Sequence, residues 1–205
     1  KAGTTDFVSD PMKPVPYTED ITTTMGFTAR NYMSEDQRFA ARRPDVLVFE
    51  TEVLEEDLTL AGEIINKLLV STSQSDADWI IKLVDVFPAD EPDHAYMPHK
   101  NITLSNYHKL VRSEIMRGRF RNSFEKPEPF VPNQKTEVKF ALQDVYHTFK
   151  KGHKIQIQVQ STWFPLFDRN PQKYVDNIYK AEDSDFTKAL HKVFNDSYIE
   201  VDVLK

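Results

Sequence analysis

The stretch QSTWFPLFDRNPQKY, Gln160 to Tyr174, packs four aromatics, two prolines and an Asp-Arg-Asn trio into fifteen residues. One chemistry for it is recognition, with Trp163 or Phe164 stacking on a sugar or substrate ring at a strand end. The other is structural: Phe164 and Phe167 anchor a corner in the core, Asp168 and Arg169 lock the following turn, and Pro165 and Pro171 stiffen the backbone. The structural corner is the expected role. A second set, Arg117, Arg119 and Arg121 in LVRSEIMRGRFRNSF, falls on one face of an extended chain, because side chains alternate along a strand. Guanidinium forks there would grip a carboxylate ligand or an acidic partner surface, or pair with acidic neighbours across strands.

Catalytic patterns are missing. None of the five glycines opens a G-x-S-x-G turn, so the sequence holds no α/β-hydrolase nucleophile elbow. No His precedes Glu as H-E-x-x-H requires, and scattered glycines cannot cradle a phosphate. His94, His99 and His108 share a loop with Asp90, Glu91 and Asp93, but their spacing matches no metal-ligand pattern, so no metal and no cofactor are expected. The acid clusters EEDLTLAGE and AEDSDF read as solvent-facing turns rather than an acid and base pair. No catalytic residue is assigned.

The elements that position these residues follow from a period of two. DVLVFETEVL, ADWIIKLVDVFP, TEVKFAL and SYIEVDVL read as strands. In HKIQIQVQS, Ile155, Ile157 and Val159 turn inward and Gln156, Gln158 and Gln160 outward. SDFTKALHKVF fits either a helical face or a strand; the strand is preferred, turning at Asn195-Asp196 into the last one. About eight strands predict an all-β fold, a two-sheet jelly-roll sandwich. The chain of 205 residues suits one domain, its 40% hydrophobic content can bury a core, and no apolar run approaches the roughly 18 residues of a membrane span. A soluble protein without a membrane partner is expected. A net charge of -6 leaves no basic stripe for nucleic acid.

SDPMKPVPY, with three prolines between Pro11 and Pro16, suggests an extended connector over residues 1–20 that leads in from an upstream domain, with the jelly roll over 21–205. The opening KAGTTDFV has neither initiator Met nor signal-peptide pattern, as expected of a fragment.

SDPMKPVPY, SEDQRFAARRPDVLVFETEVLEEDLTLAG, SDADWIIKLVDVFP, RGRFRNSFEKPEPFVPNQ, TFKKGHKIQIQVQS and FPLFDRNP together resemble, in order, the C-terminal jelly roll of serine hydrolases that include X-prolyl dipeptidyl-peptidase and cocaine esterase. Through FPLFDRNPQKYVDNIYKAEDSDF and TTTMGFTARNYMSEDQRF the chain is most similar to the α-amino-acid ester hydrolases, or cephalosporin acylases. The resemblance implies a galactose-binding-like fold, upstream α/β-hydrolase and cap domains in the same polypeptide, and a Ser-His-Asp triad that lies outside this chain. It also implies acylase, esterase or dipeptidyl-peptidase activity for the parent, export to the periplasm or medium, and leaves homo-oligomer contacts open. The loop Met25 to Tyr32 is the expected interdomain or pocket-lining segment, with Phe27 and Tyr32 as its contact residues and an apolar patch around it. A carbohydrate-binding module is the alternative, with Trp163 and the Gln156, Gln158, Gln160 face as its surface.

Overall fold

The computed structural model describes residues 3–20, 30–96 and 102–204. Nine strands among them form two antiparallel sheets: β1 Thr4–Ser9, β2 Leu47–Glu50, β3 Leu58–Thr72, β4 Asp78–Val86, β5 His108–Arg117, β6 Thr136–Phe149, β7 Lys154–Gln160, β8 Ala189–Phe194 and β9 Tyr198–Val203. Sheet 1 runs β1-β8-β3-β6, with β9 also paired to β3, and sheet 2 runs β2-β7-β4-β5. The fold is the expected β-sandwich. SDFTKALHKVF is a strand in its second half, where Ala189, His191 and Val193 are buried and the residues between them are not.

Strand β3 is long enough to hold sheet 1 together alone, pairing with β6 along one edge and with β9 and then β8 along the other. A register shift between Gly62 and Ile64 bends it, and Gly62 takes a φ of +123°, a conformation open to glycine and strained for other residues. The inward faces of the two sheets meet in one apolar core that includes Leu60, Ile64, Leu68, Trp79, Ile81, Leu83, Phe149 and Val159. Each such side chain, fully buried, contributes roughly 1.5–3 kcal/mol from desolvation.

Strand β4 is buried on both faces through Asp85. Its outer face, Ile80, Lys82 and Val84, lies under irregular chain that carries Tyr17, Trp163, Leu166 and Phe167, while Val15, Ala40 and Val46 pack nearby. That cover corrects the reading of β7. Gln156, Gln158 and Gln160 do face away from the core, yet all three are 0% exposed. Alternation gives the side of the sheet, and a second layer of chain over that side decides whether it meets water.

The proline-rich segment contributes to the sandwich over its described part. β1 pairs with β8, Val15 and Tyr17 are buried, and Pro16 lies beside Phe164 with hydrogen bonds in both directions: Tyr17 N donates to Phe164 O and Phe164 N to Val15 O. The arginine stripe is corrected too. β5 ends at Arg117, and Gly118–Phe120 form a 3₁₀ turn, so strand alternation does not carry through Arg119 and Arg121. Gly118 permits that turn because a Cβ there would sit 2.4 Å from Phe130 and 2.5 Å from the Ala77 carbonyl.

Candidate functional site

Two of the expected residues are brought together by the fold. The Tyr32 ring meets Trp163 edge-on, with centroids 5.8 Å apart and planes at 84°, and lies 6.0 Å from Tyr17. Trp163 is only 3% exposed; Phe167 packs 6.0 Å away and the Lys82 ammonium sits 4.8 Å over its ring. The aromatic pair lines a groove of about 440 Å³ with Met33, Leu110, Leu166 and Phe167, and Met33 is exposed. Phe27, and with it most of the Met25 to Tyr32 loop and the patch expected there, lies outside the described residues, as does His99. Trp163 and the three glutamines offer no surface to a sugar, since they are buried under the same cover.

Trp163 and Phe164 thus belong to a corner, as expected, but the corner is locked differently. Asp168 reaches across to Arg117 rather than to its neighbour. Arg169 donates to the Pro11 carbonyl at 3.1 Å and lies over the Phe164 and Phe186 rings. The corner therefore clamps the proline-rich entry onto the sandwich.

Arg117 and Arg119 are the centre of a largely buried ionic cluster. Arg119 donates to Asp76 Oδ2 through Nη2 at 2.6 Å and Nε at 2.9 Å, gives Nη1 to the Val175 carbonyl, and stacks 4.4 Å over Tyr174. Arg117 lies between Asp168 and Asp78, 3.5 Å from the latter, and Asn170 donates to Asp78 at 2.8 Å. Burial pushes the Asp78 carboxyl up to about 7 against the pull of Arg117, and it pushes Asp76 up as well against Arg119. Arg121 spends itself on the Gly118, Glu128 and Pro129 carbonyls. These guanidinium groups are occupied by partners within the fold, so cross-strand and inter-loop pairing describes them better than ligand capture.

Two further polar sites carried sequence signals that went unused. Lys82 interrupts the apolar run WIIKLV, and the fold buries it completely, with Nζ donating to Gln37 Oε1 at 3.0 Å. Burial pushes its amine down to about 7. Asp85, three residues on, lies 2.8 Å from His147 Nε2 and 2.7 Å from His153 Nδ1, joining β4 of sheet 2 to β6 of sheet 1 and to the turn before β7. Among the described residues no group of three His, Cys, Asp or Glu side chains is arranged to hold a metal. The arrangement does packing work: it pins loops to sheets and sheets to each other.

The sequence pattern of the X-Pro dipeptidyl-peptidase C-terminal non-catalytic domain matches residues 15–199. The chain belongs to that family. Cocaine esterase from Rhodococcus sp. (strain MB1 Bresler) is 32% identical over 164 residues, covering 80% of this chain and 25% of the esterase. An aminopeptidase from a marine sediment archaeon, Thaumarchaeota archaeon, superposes with a TM-score of 0.91 at 40% identity, over 100% of this chain and 34% of its own. A solved α-amino acid ester hydrolase gives 0.88 at 41% identity, over 100% of this chain and 33% of its own. The chain spans about a quarter of the esterase and about a third of the two solved structures.

Proposed function

We propose that this chain is the β domain of a longer serine hydrolase acting on α-amino-acid esters, β-lactam acyl amides or X-Pro dipeptides, and that it stabilises the hydrolase domain and helps wall its substrate pocket. The observation that carries the proposal is the family match over residues 15–199, together with relatives of which this chain covers between a quarter and about a third. The nucleophilic Ser, its His base and the orienting Asp would all lie in the upstream α/β-hydrolase domain, with a cap domain beside it. Within this chain the contact to that neighbour is assigned to the Tyr32 groove. Its lining mixes aromatic and aliphatic side chains with Arg112, Glu114 and Gln143, and Met33 projects from it into solvent.

The direct experiment compares the 205-residue chain with a longer polypeptide that includes the upstream region. The 205-residue chain should unfold cooperatively and hydrolyse no amino-acid ester above buffer, whereas the longer polypeptide turns the ester over. In the longer polypeptide, Tyr32→Ala should raise KM several-fold with a smaller change in kcat. Turnover that co-purifies with the 205-residue chain would overturn the proposal.

A further inference from the structure

The molecule carries two proline-rich segments, and the fold treats them differently. The first, SDPMKPVPY, is absorbed into the sandwich, with Pro11, Val15 and Tyr17 buried. The second, KPEPFVP from Lys126 to Pro132, precedes β6 and is exposed at every residue except Phe130. Composition dictates its shape. Proline fixes φ at about −65°, and the residue before a proline is steered to the extended region. Pro127, Pro129 and Pro132, with Lys126, Glu128 and Val131 before them, therefore all favour polyproline II, and residues 127–131 enter no helix or strand. Asn133, at a φ of +63°, ends the segment.

Polyproline II turns once every three residues, so the segment is a three-edged rod. One edge is held by the protein. Phe130 is 2% exposed within the core between the sheets, its N–H donates to the Ser75 carbonyl at 2.9 Å, and that of Glu128 donates to the Arg119 carbonyl at 2.8 Å. Arg121 lies 4.4 Å over the Phe130 ring and donates to the Glu128 and Pro129 carbonyls at 2.9 and 3.0 Å. The Glu128-Pro129 and Val131-Pro132 pairs are left on the solvent side, and Val131 is 60% exposed. Lys126, also exposed, stands one turn before Pro129. Domains that read proline-rich ligands use this arrangement: x-Pro pairs enter grooves between aromatic rings, and a basic residue at the end of the rod meets a carboxylate pocket. Here the fold has already ordered the segment, so little conformational entropy remains to be lost on binding.

We propose that Lys126 to Pro132 is a docking motif for a partner protein that reads K-x-x-P-x-x-P in the polyproline II form, touching it through Lys126, Pro129, Val131 and Pro132 while Phe130 holds the motif to the sandwich. The test uses an SH3-type domain chosen from a panel because it binds the free peptide KPEPFVP. Isotopically labelled, this domain is titrated with the 205-residue chain and followed by NMR. The folded chain should shift the resonances of its proline-binding groove and bind at least as tightly as the peptide, because the motif is ordered in advance. Pro129→Ala with Pro132→Ala should weaken the chain about tenfold or more, and Lys126→Glu several-fold. All three positions are exposed, and the single lysine variant keeps the test open if the double proline variant fails to fold. A panel in which no domain binds the peptide, or a domain that binds the peptide and ignores the folded chain, overturns the proposal. Groove shifts that survive the double proline variant in a folded protein overturn the motif, and unchanged affinity for Lys126→Glu overturns the role given to Lys126.

Discussion

Outside sheet 2 and at its Asp78 end, most buried polar side chains have at least one partner: Arg119 holds Asp76, Gln156 donates to Glu50 at 2.6 Å, Gln160 donates to the Thr162 carbonyl at 2.7 Å, and Lys82 reaches Gln37, while the Oε1 atoms of Gln158 and Gln160 have none among the described residues. Between the sheets the case differs. Asp85 finds two imidazoles, but among the described residues Asn66 on β3 has no partner for either amide atom, and His191 on β8 has none for either ring nitrogen. The reason lies in what each layer can offer. Irregular chain laid over a sheet still has free carbonyls and long side chains to turn toward a polar neighbour. A sheet has already used its backbone groups in its ladders, so a polar side chain facing another sheet meets hydrocarbon. Paired polar groups should therefore add stability, and isolated ones should cost it, whether Asn66 and His191 between the sheets or the buried amine of Lys82 outside sheet 2.

The most severe way to break that contrast is Arg119→Met, which leaves the Asp76 carboxylate, with a fully buried side chain, without its cation. A loss of about 3–5 kcal/mol is expected in urea unfolding, and the double variant with Asp76→Leu should recover much of it. Next is His191. Burial between Phe7 and Trp79 pushes its imidazole from 6.5 down to about 3, so the folded chain refuses a proton that the unfolded chain accepts. Its contribution is intact above pH 6.5 and declines as pH falls toward 3. Between pH 7 and 4.5 the protein should lose about 3 kcal/mol on this account, and His191→Leu should remove that part of the slope.

Lys82 sharpens the contrast because Gln37, to which its amine donates, is neutral. Below about pH 7 the folded and unfolded chains both hold the proton, and the ammonium's burial is felt in full. From about 7 to 10.5 the unfolded chain carries a proton that the folded chain has released, so stability rises with pH. Lys82→Met should raise stability by roughly 1–4 kcal/mol at pH 6, with the gain shrinking by pH 9. A lower melting point for this variant at pH 6 would show that the amine's place over Trp163 outweighs its desolvation. The smallest effect expected is from Asn66→Leu, a gain of about 1 kcal/mol from ending an unpaired burial. No change, or a loss, would mean that the amide is satisfied after all.

Much of the architecture was legible in the residues. The period of two in IQIQVQ and WIIKLV marked strands β7 and β4, and the Asn195-Asp196 turn set off β9 from β8. Of the two roles open to Arg117 and Arg119, pairing with acids is the one the fold displays. Their common face was not correct, because the Gly118 turn ends the strand at a point where the local pattern still alternates. Tyr32 and Trp163 were each singled out, but nothing between positions 32 and 163 announces that they touch.

Sequence alone determined what depends on neighbours along the chain: which segments extend, which side of each strand is apolar, and which chemistries lack their residues. Only the tertiary structure decided what covers each side. Gln156, Gln158 and Gln160 point away from the core exactly as alternation demands, and they are buried because residues distant in sequence fold over them. Lys82 lies in that same hidden layer, and Asp76 is buried at the Asp78 end by its pairing with Arg119. Burial, pairing and the shift of a proton affinity are properties of a surrounding volume, and that volume is filled by segments that no local pattern brings together.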